Sequence, residues 1–148
     1  MDSSLDGPKS RPLPGRTGRL MALVALAAIA GCSPVKKDKM AVTLQNATNA
    51  YQSALRWGYF ENAFGFVDPA KRQDKDMPEA LEDIRLTGYD VVQAPVMKED
   101  SNTALQIVKI EYLHQDRQVV KTLTDRQLWR YDEAEKKWWL ESGLPKFE

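Results

Sequence analysis

The run from Thr103 to Tyr131, TALQIVKIEYLHQDRQVVKTLTDRQLWRY, decides the fold. It reads as a long strand from Thr103 to His114, a polar turn at Gln115-Asp116-Arg117, and a second strand from Gln118 to Tyr131. So short a connection joins antiparallel neighbours, because parallel pairing needs a crossover of a dozen or more residues. Alternation places Val119, Lys121, Leu123, Asp125, Gln127, Trp129 and Tyr131 on one face of the second strand, and the apolar members make that face the inner one. Upstream, Ile84 to Gln93 is another strand, and its alternation slips by one at Gly88, which predicts a bulge or bend. Ala94-Pro95 and Lys98 to Asn102 turn that strand into Thr103. Asp132 to Lys136 turn Tyr131 into a last strand, Lys137 to Ser142. Of the adjacent Trp138 and Trp139, one is expected in the core and the other on the opposite side.

Before the strands the pattern is helical. Leu44, Ala47, Tyr51, Ala54, Leu55 and Gly58 recur at three- and four-residue spacing, with Gln45, Asn49, Gln52 and Arg56 between them. The pattern continues through Phe60, Ala63 and Phe64, breaks or bends near Gly58, and ends at Asp68-Pro69. Asp76-Met77-Pro78-Glu79 predicts one more short helix of a turn or two. Helices first and a four-stranded antiparallel meander afterwards is an α+β order, with the N-terminal helix covering the apolar face of the sheet.

The aromatic helix Tyr51 to Phe64, the following Phe66-Val67-Asp68-Pro69, and the hairpin Trp129-Arg130-Tyr131…Trp138-Trp139-Leu140 resemble the nuclear transport factor 2-like, or cystatin-like α+β, fold over residues 40–148. The resemblance implies a cone, in which a long helix lies across a strongly curved sheet. That fold family includes isomerases, dehydratases and cyclases beside members with no chemistry, so it does not select a function.

The N-terminal third speaks of location. Arg16 and Arg19 precede an eleven-residue apolar stretch, Leu20 to Ala30, which ends in Gly31 and the single cysteine of the chain, Cys32. Basic flank, apolar core and small-residue exit form the pattern of a secretory signal peptide. The stretch is too short to span a bilayer, which takes about 20 apolar residues. Ile29-Ala30-Gly31-Cys32 resembles the lipobox of bacterial lipoproteins. The resemblance implies removal of residues 1–31 and a mature N-terminus at Cys32 carrying N-palmitoyl and S-diacylglycerol groups. The lipid bilayer is then a partner, and Ser33 after the cysteine implies an outer-membrane location facing the periplasm if the cell is Gram-negative. Residues 32–39 read as a lipidated cysteine and flexible tether, and residues 40–148 as one α+β domain. Lys36, Lys37 and Lys39 either rest on anionic headgroups, at about 1 kcal/mol each, or simply solubilise the linker.

The 148 residues carry 21 basic and 21 acidic side chains. Residues 1–31 hold Lys9, Arg11, Arg16 and Arg19 against Asp2 and Asp6, so the rest has a net charge of −2. That balance shows no basic footprint for nucleic acid. With one cysteine no internal disulfide forms, and stability rests on burial, to which four tryptophans, five tyrosines and four phenylalanines contribute. No cofactor is expected. His114, the single histidine, reads as a turn residue, and without a second His or a Cys it makes no standard zinc site, so no metal is expected.

Lys121, Asp125 and Gln127 form a polar row among the inner apolar residues, and with Tyr112 they make a possible pocket. Three functions stay open. The first is a non-enzymatic, membrane-anchored envelope lipoprotein that binds an envelope protein or plays a structural accessory role. The second is a small-ligand binding module that uses the cone interior. The third is an isomerase- or dehydratase-type enzyme with Asp125 or Asp90 as base and Tyr112 as donor, chemistry that needs a base held in an apolar pocket within reach of substrate. The sequence assigns no catalytic residue.

Overall fold

The computed structural model describes residues 33–72, 77–99 and 101–148, together with Gly7 and Ser10. The order is helix α1 (Ser33–Arg56), helix α2 (Phe60–Phe64), two short 3₁₀ turns (Pro69–Lys71 and Glu79–Asp83), then strands β1 (Ile84–Met97), β2 (Thr103–His114), β3 (Lys121–Asp132) and β4 (Lys137–Leu140). The strands form one antiparallel sheet in sequential order, β1-β2-β3-β4. One main helix packed on this open sheet makes the α+β fold that the sequence predicts.

Helix α1 buries Met40, Leu44, Thr48, Tyr51 and Leu55, a stripe at three- and four-residue steps that turns one side of the helix to the sheet. Two contacts fix it there. The Tyr51 ring stands edge-on to Trp129 at 5.5 Å. The Trp138 indole N–H is shared between the Met40 carbonyl at 3.3 Å and the Thr43 hydroxyl at 3.1 Å. The helix starts at Ser33, seven residues before the expected Met40, so residues 33–39 are helical rather than a flexible tether. Pro34 falls in the first turn, where its missing N–H costs no helical bond. Lys36 reaches Glu133 in the β3–β4 turn at 2.9 Å, tying that end of the helix to the sheet. Gly58, at φ +74°, makes the break between α1 and α2, a conformation that costs a side-chain-bearing residue more.

The core lies between α1 and the sheet face made by Ala104, Val108, Ile110 and Tyr112 of β2, Trp129 of β3, and Trp138 and Leu140 of β4. Trp138 is the core member of the tryptophan pair. Trp139 is half-buried on the outer face, with the Lys137 ammonium 3.7 Å from its ring centroid.

The predicted slip at Gly88 is a register shift between the pairs Leu86–Tyr112 and Gly88–Glu111. A Cβ at position 88 would stand 3.2 Å from the Glu111 Cβ, so glycine here permits the close approach of the two strands. Strand β1 runs on to Met97 through Ala94-Pro95, which the sequence reading placed in a turn. An edge strand tolerates proline because the missing N–H need not face a neighbour, and two further register shifts, between Val91 and Gln93 and between Gln93 and Val96, absorb the irregularity. Val119, expected on the inner face of β3, is exposed in the turn before it, where Gln118 takes φ 51°. The free side of β4 is closed by residues 66–68. Leu140 N–H donates to the Phe66 carbonyl at 2.7 Å and Asp68 N–H donates to the Leu140 carbonyl at 3.0 Å, a parallel bridge.

Candidate functional site

On the inner face the cross-strand pairs fix which side chains can meet. Asp125 of β3 lies opposite Val108 of β2, and Gln127 lies opposite Gln106. Tyr89 of β1 is opposite Ile110 and thus joins the same face. Gln127 is fully buried, and its Nε2 donates to the Tyr89 hydroxyl at 3.0 Å and to Asp125 Oδ2 at 2.9 Å. The row predicted from alternation is therefore interior at Gln127 and half-buried at Asp125.

Burial raises the Asp125 carboxyl above the ordinary carboxylate range, with the Gln127 hydrogen bond opposing the rise. Burial also pushes the Tyr89 hydroxyl up to about 12, against the lowering bond from Gln127 and with a further push from Asp125. Tyr51 is raised well above the usual tyrosine value, first by burial and then by Asp125 and Tyr89. Four buried polar atoms between this face and α1 have no hydrogen-bond partner among the described residues: Tyr51 Oη, Gln106 Oε1, Gln127 Oε1 and Trp129 Nε1. Each such group costs about 1–3 kcal/mol. Chemically the cluster offers two amide carbonyls as acceptors, an indole N–H and a phenol as donors, and one carboxyl whose pKa burial raises.

Tyr112 and Lys121, the other members of the predicted pocket, face each other across β2 and β3. They belong to a separate group. The Glu148 backbone N–H donates to the Tyr112 hydroxyl at 3.0 Å, and the Glu148 carbonyl oxygen accepts from Tyr112 and from the Lys121 ammonium. The Phe147 ring meets Tyr112 edge-on at a centroid distance of 4.8 Å. Tyr112 is four residues along β2 from the partner of Asp125, about 13 Å at 3.3 Å per residue, so the two stand apart. Asp90 is exposed and pairs with Lys109, whose Nζ is 3.9 Å away on the outer face.

His114 is half-buried, with Nδ1 3.3 Å from Asp83 Oδ2 and Nε2 3.1 Å from the Glu148 carbonyl oxygen. The ligand atoms of Asp83, His114 and Asp116 all lie within 4.8 Å of one another. Beside this cluster, an open groove of about 410 Å³ is lined in part by Tyr59, Phe60, Met77, Glu82, Ile84 and Gln115.

Sequence reading missed Tyr51, Tyr89, Gln106 and Trp129 as members of the inner polar cluster. The signal for Gln106 was present, a polar residue at an alternating position between Ala104 and Val108. Cys32 lies outside the described residues, as does all of the leader save Gly7 and Ser10, and no helix among the described residues is long and apolar enough to cross a membrane. Compared with protein-family profiles, curated proteins and solved structures, this chain finds no match.

Proposed function

We propose that the chain is a membrane-anchored envelope lipoprotein, held by an acylated Cys32, whose α+β domain binds another envelope protein or plays a structural accessory role. The observation that carries this reading is the run Leu20 to Cys32, a basic-flanked apolar stretch ending in Ile29-Ala30-Gly31-Cys32. Lys37 and Lys39 are exposed in the first turns of α1, where they add attraction to anionic headgroups. Two or more acyl chains give stable anchoring where one gives only marginal binding. The finer fold proposed is the cone of the nuclear transport factor 2-like class. Intact mass and membrane fractionation of the wild type and Cys32→Ser test the anchor: the wild type should carry acyl mass and sediment with membranes, and the variant should lack that mass. Unmodified wild-type protein in the soluble fraction would overturn the reading.

A second reading, a small-ligand module, draws on the partnerless atoms of Tyr51, Gln106, Gln127 and Trp129 behind the half-buried Asp125. Native mass spectrometry of the purified protein tests it, through a non-covalent adduct that Gln127→Leu removes.

A further inference from the structure

The two edges of the sheet are treated differently. The β4 edge is closed by the bridge from residues 66–68, whereas among the described residues nothing pairs with the outer side of β1. Along that free edge Val91, Val92 and Val96 are 47%, 67% and 55% exposed. A long edge carrying unpaired backbone groups and exposed β-branched side chains is a template for another strand.

We propose that a second copy of this chain occupies the edge, with the two β1 strands pairing antiparallel about a two-fold axis at Ala94. The sequence of β1 is self-complementary in that register. Asp90 of one copy meets Lys98 of the other, Val91 meets Met97, Val92 meets Val96, and Ala94 meets Ala94. Opposite charges directly across a ladder attract, and apolar pairs across it stabilise, at about 0.2–1 kcal/mol each. The faces agree as well. Val91 and Met97 pair with the inner-face residues Val108 and Ala104, while Asp90 pairs with Lys109 of the outer face and Lys98 follows Met97 onto that side. An axis perpendicular to the sheet keeps inner with inner and outer with outer, and such an isologous contact closes at two copies. Pro95 withholds one donor, and the register shifts between Val91 and Val96 twist the edge, so the pairing is short, centred on residues 90–98, and weak.

Cysteine crosslinking of the full chain in mild detergent tests the register. In a Cys32→Ser background, Ala94→Cys supplies one thiol at the axis, where opposed Cα atoms about 4.5–5.5 Å apart suit a disulfide. Oxidation should give disulfide-linked dimer about tenfold faster than the exposed control Glu135→Cys, because pairing raises the local thiol concentration. Adding Asp90→Lys should abolish that advantage, and adding Lys98→Asp to it should restore the advantage. Val92→Lys, which leaves the charge pair intact, should also abolish it. Circular dichroism of each variant checks that the fold is kept. Crosslinking at position 94 no faster than at 135, or a charge reversal that changes nothing, would overturn the proposal.

Discussion

Replacing Trp138 with phenylalanine should cost the domain about 2–3 kcal/mol of unfolding free energy. The indole is 2% exposed, and its N–H is the donor of two hydrogen bonds into helix α1, to the Met40 carbonyl and the Thr43 hydroxyl. Loss of a donor with a good acceptor removes about 1 kcal/mol. The smaller ring leaves a partly collapsed void against Tyr131, whose ring lies 5.2 Å away, and takes a further 1–2 kcal/mol or so through lost transfer energy and cavity. The acceptors are not orphaned, since Thr43 still donates to the Met40 carbonyl at 2.9 Å, so no additional desolvation penalty enters. Thr43→Val should therefore cost less, under about 1 kcal/mol, because the indole keeps its bond to Met40. Urea unfolding followed by far-ultraviolet circular dichroism measures both, free of the change in tryptophan fluorescence. A loss below about 0.5 kcal/mol for Trp138→Phe, or equal losses for the two variants, would refute the view that this indole latches the helix to the sheet.

Three further outcomes follow from the geometry. Asp125→Asn keeps an acceptor for Gln127. Burial raises the folded pKa of Asp125 above its unfolded value, so wild-type stability falls as pH rises from about 3.9 to the raised value. The variant should thus be the more stable above that window and lose its advantage below it, as read from urea midpoints across pH. Asp68 behaves in the opposite sense: the Arg130 guanidinium at 2.7 Å and the Ala70 N–H hold its carboxyl below the ordinary range, and the stability this gives is present above about pH 3.9 and lost as pH falls through the folded value. Arg130→Met should cost about 2–3 kcal/mol at neutral pH by leaving Asp68 buried without its cation, and should flatten the acid limb of the stability profile. Gly88→Ala should cost about 1 kcal/mol, because its Cβ presses on Glu111 across the strands, and a change in thermal midpoint of less than a degree would contradict that account.

Where neighbours in sequence are also neighbours in space, the chain could be read directly. Thr103–His114 is a strand with the bounds that its polar turns predict, the glycine at the slip of alternation sits at a register shift, and the helix breaks at Gly58. The early start of α1 was hidden because residues 33–39 carry no apolar periodicity, and the contact from Lys36 to Glu133 spans 97 residues. Pro95 was misplaced because a proline signals a turn unless the strand is known to be an edge. Asp125 and Gln127 share one strand face and so were found, whereas Tyr89 reaches Gln127 from 38 residues upstream and Tyr51 comes from another element altogether. Glu148 gathers Tyr112, His114 and Lys121 through backbone atoms, which no side-chain pattern announces.

The Trp138 latch also sets an order of events. Its two hydrogen bonds close loops of 98 and 95 residues, while each hairpin of the meander closes over a handful. Loop-closure entropy grows with the logarithm of length, and the difference here is about 2–3 kcal/mol against the helix contact. The meander therefore assembles first, and α1 docks onto a sheet that already exists. In a chevron, Leu44→Ala on the buried face of α1 should slow folding little, while unfolding becomes faster by most of the lost free energy. A folding arm that drops as far as the unfolding arm rises would mean that the helix docks earlier. With late docking, the lifetime of the native state is governed by the release of one helix, and a change that tightens that contact lengthens the lifetime without hastening assembly.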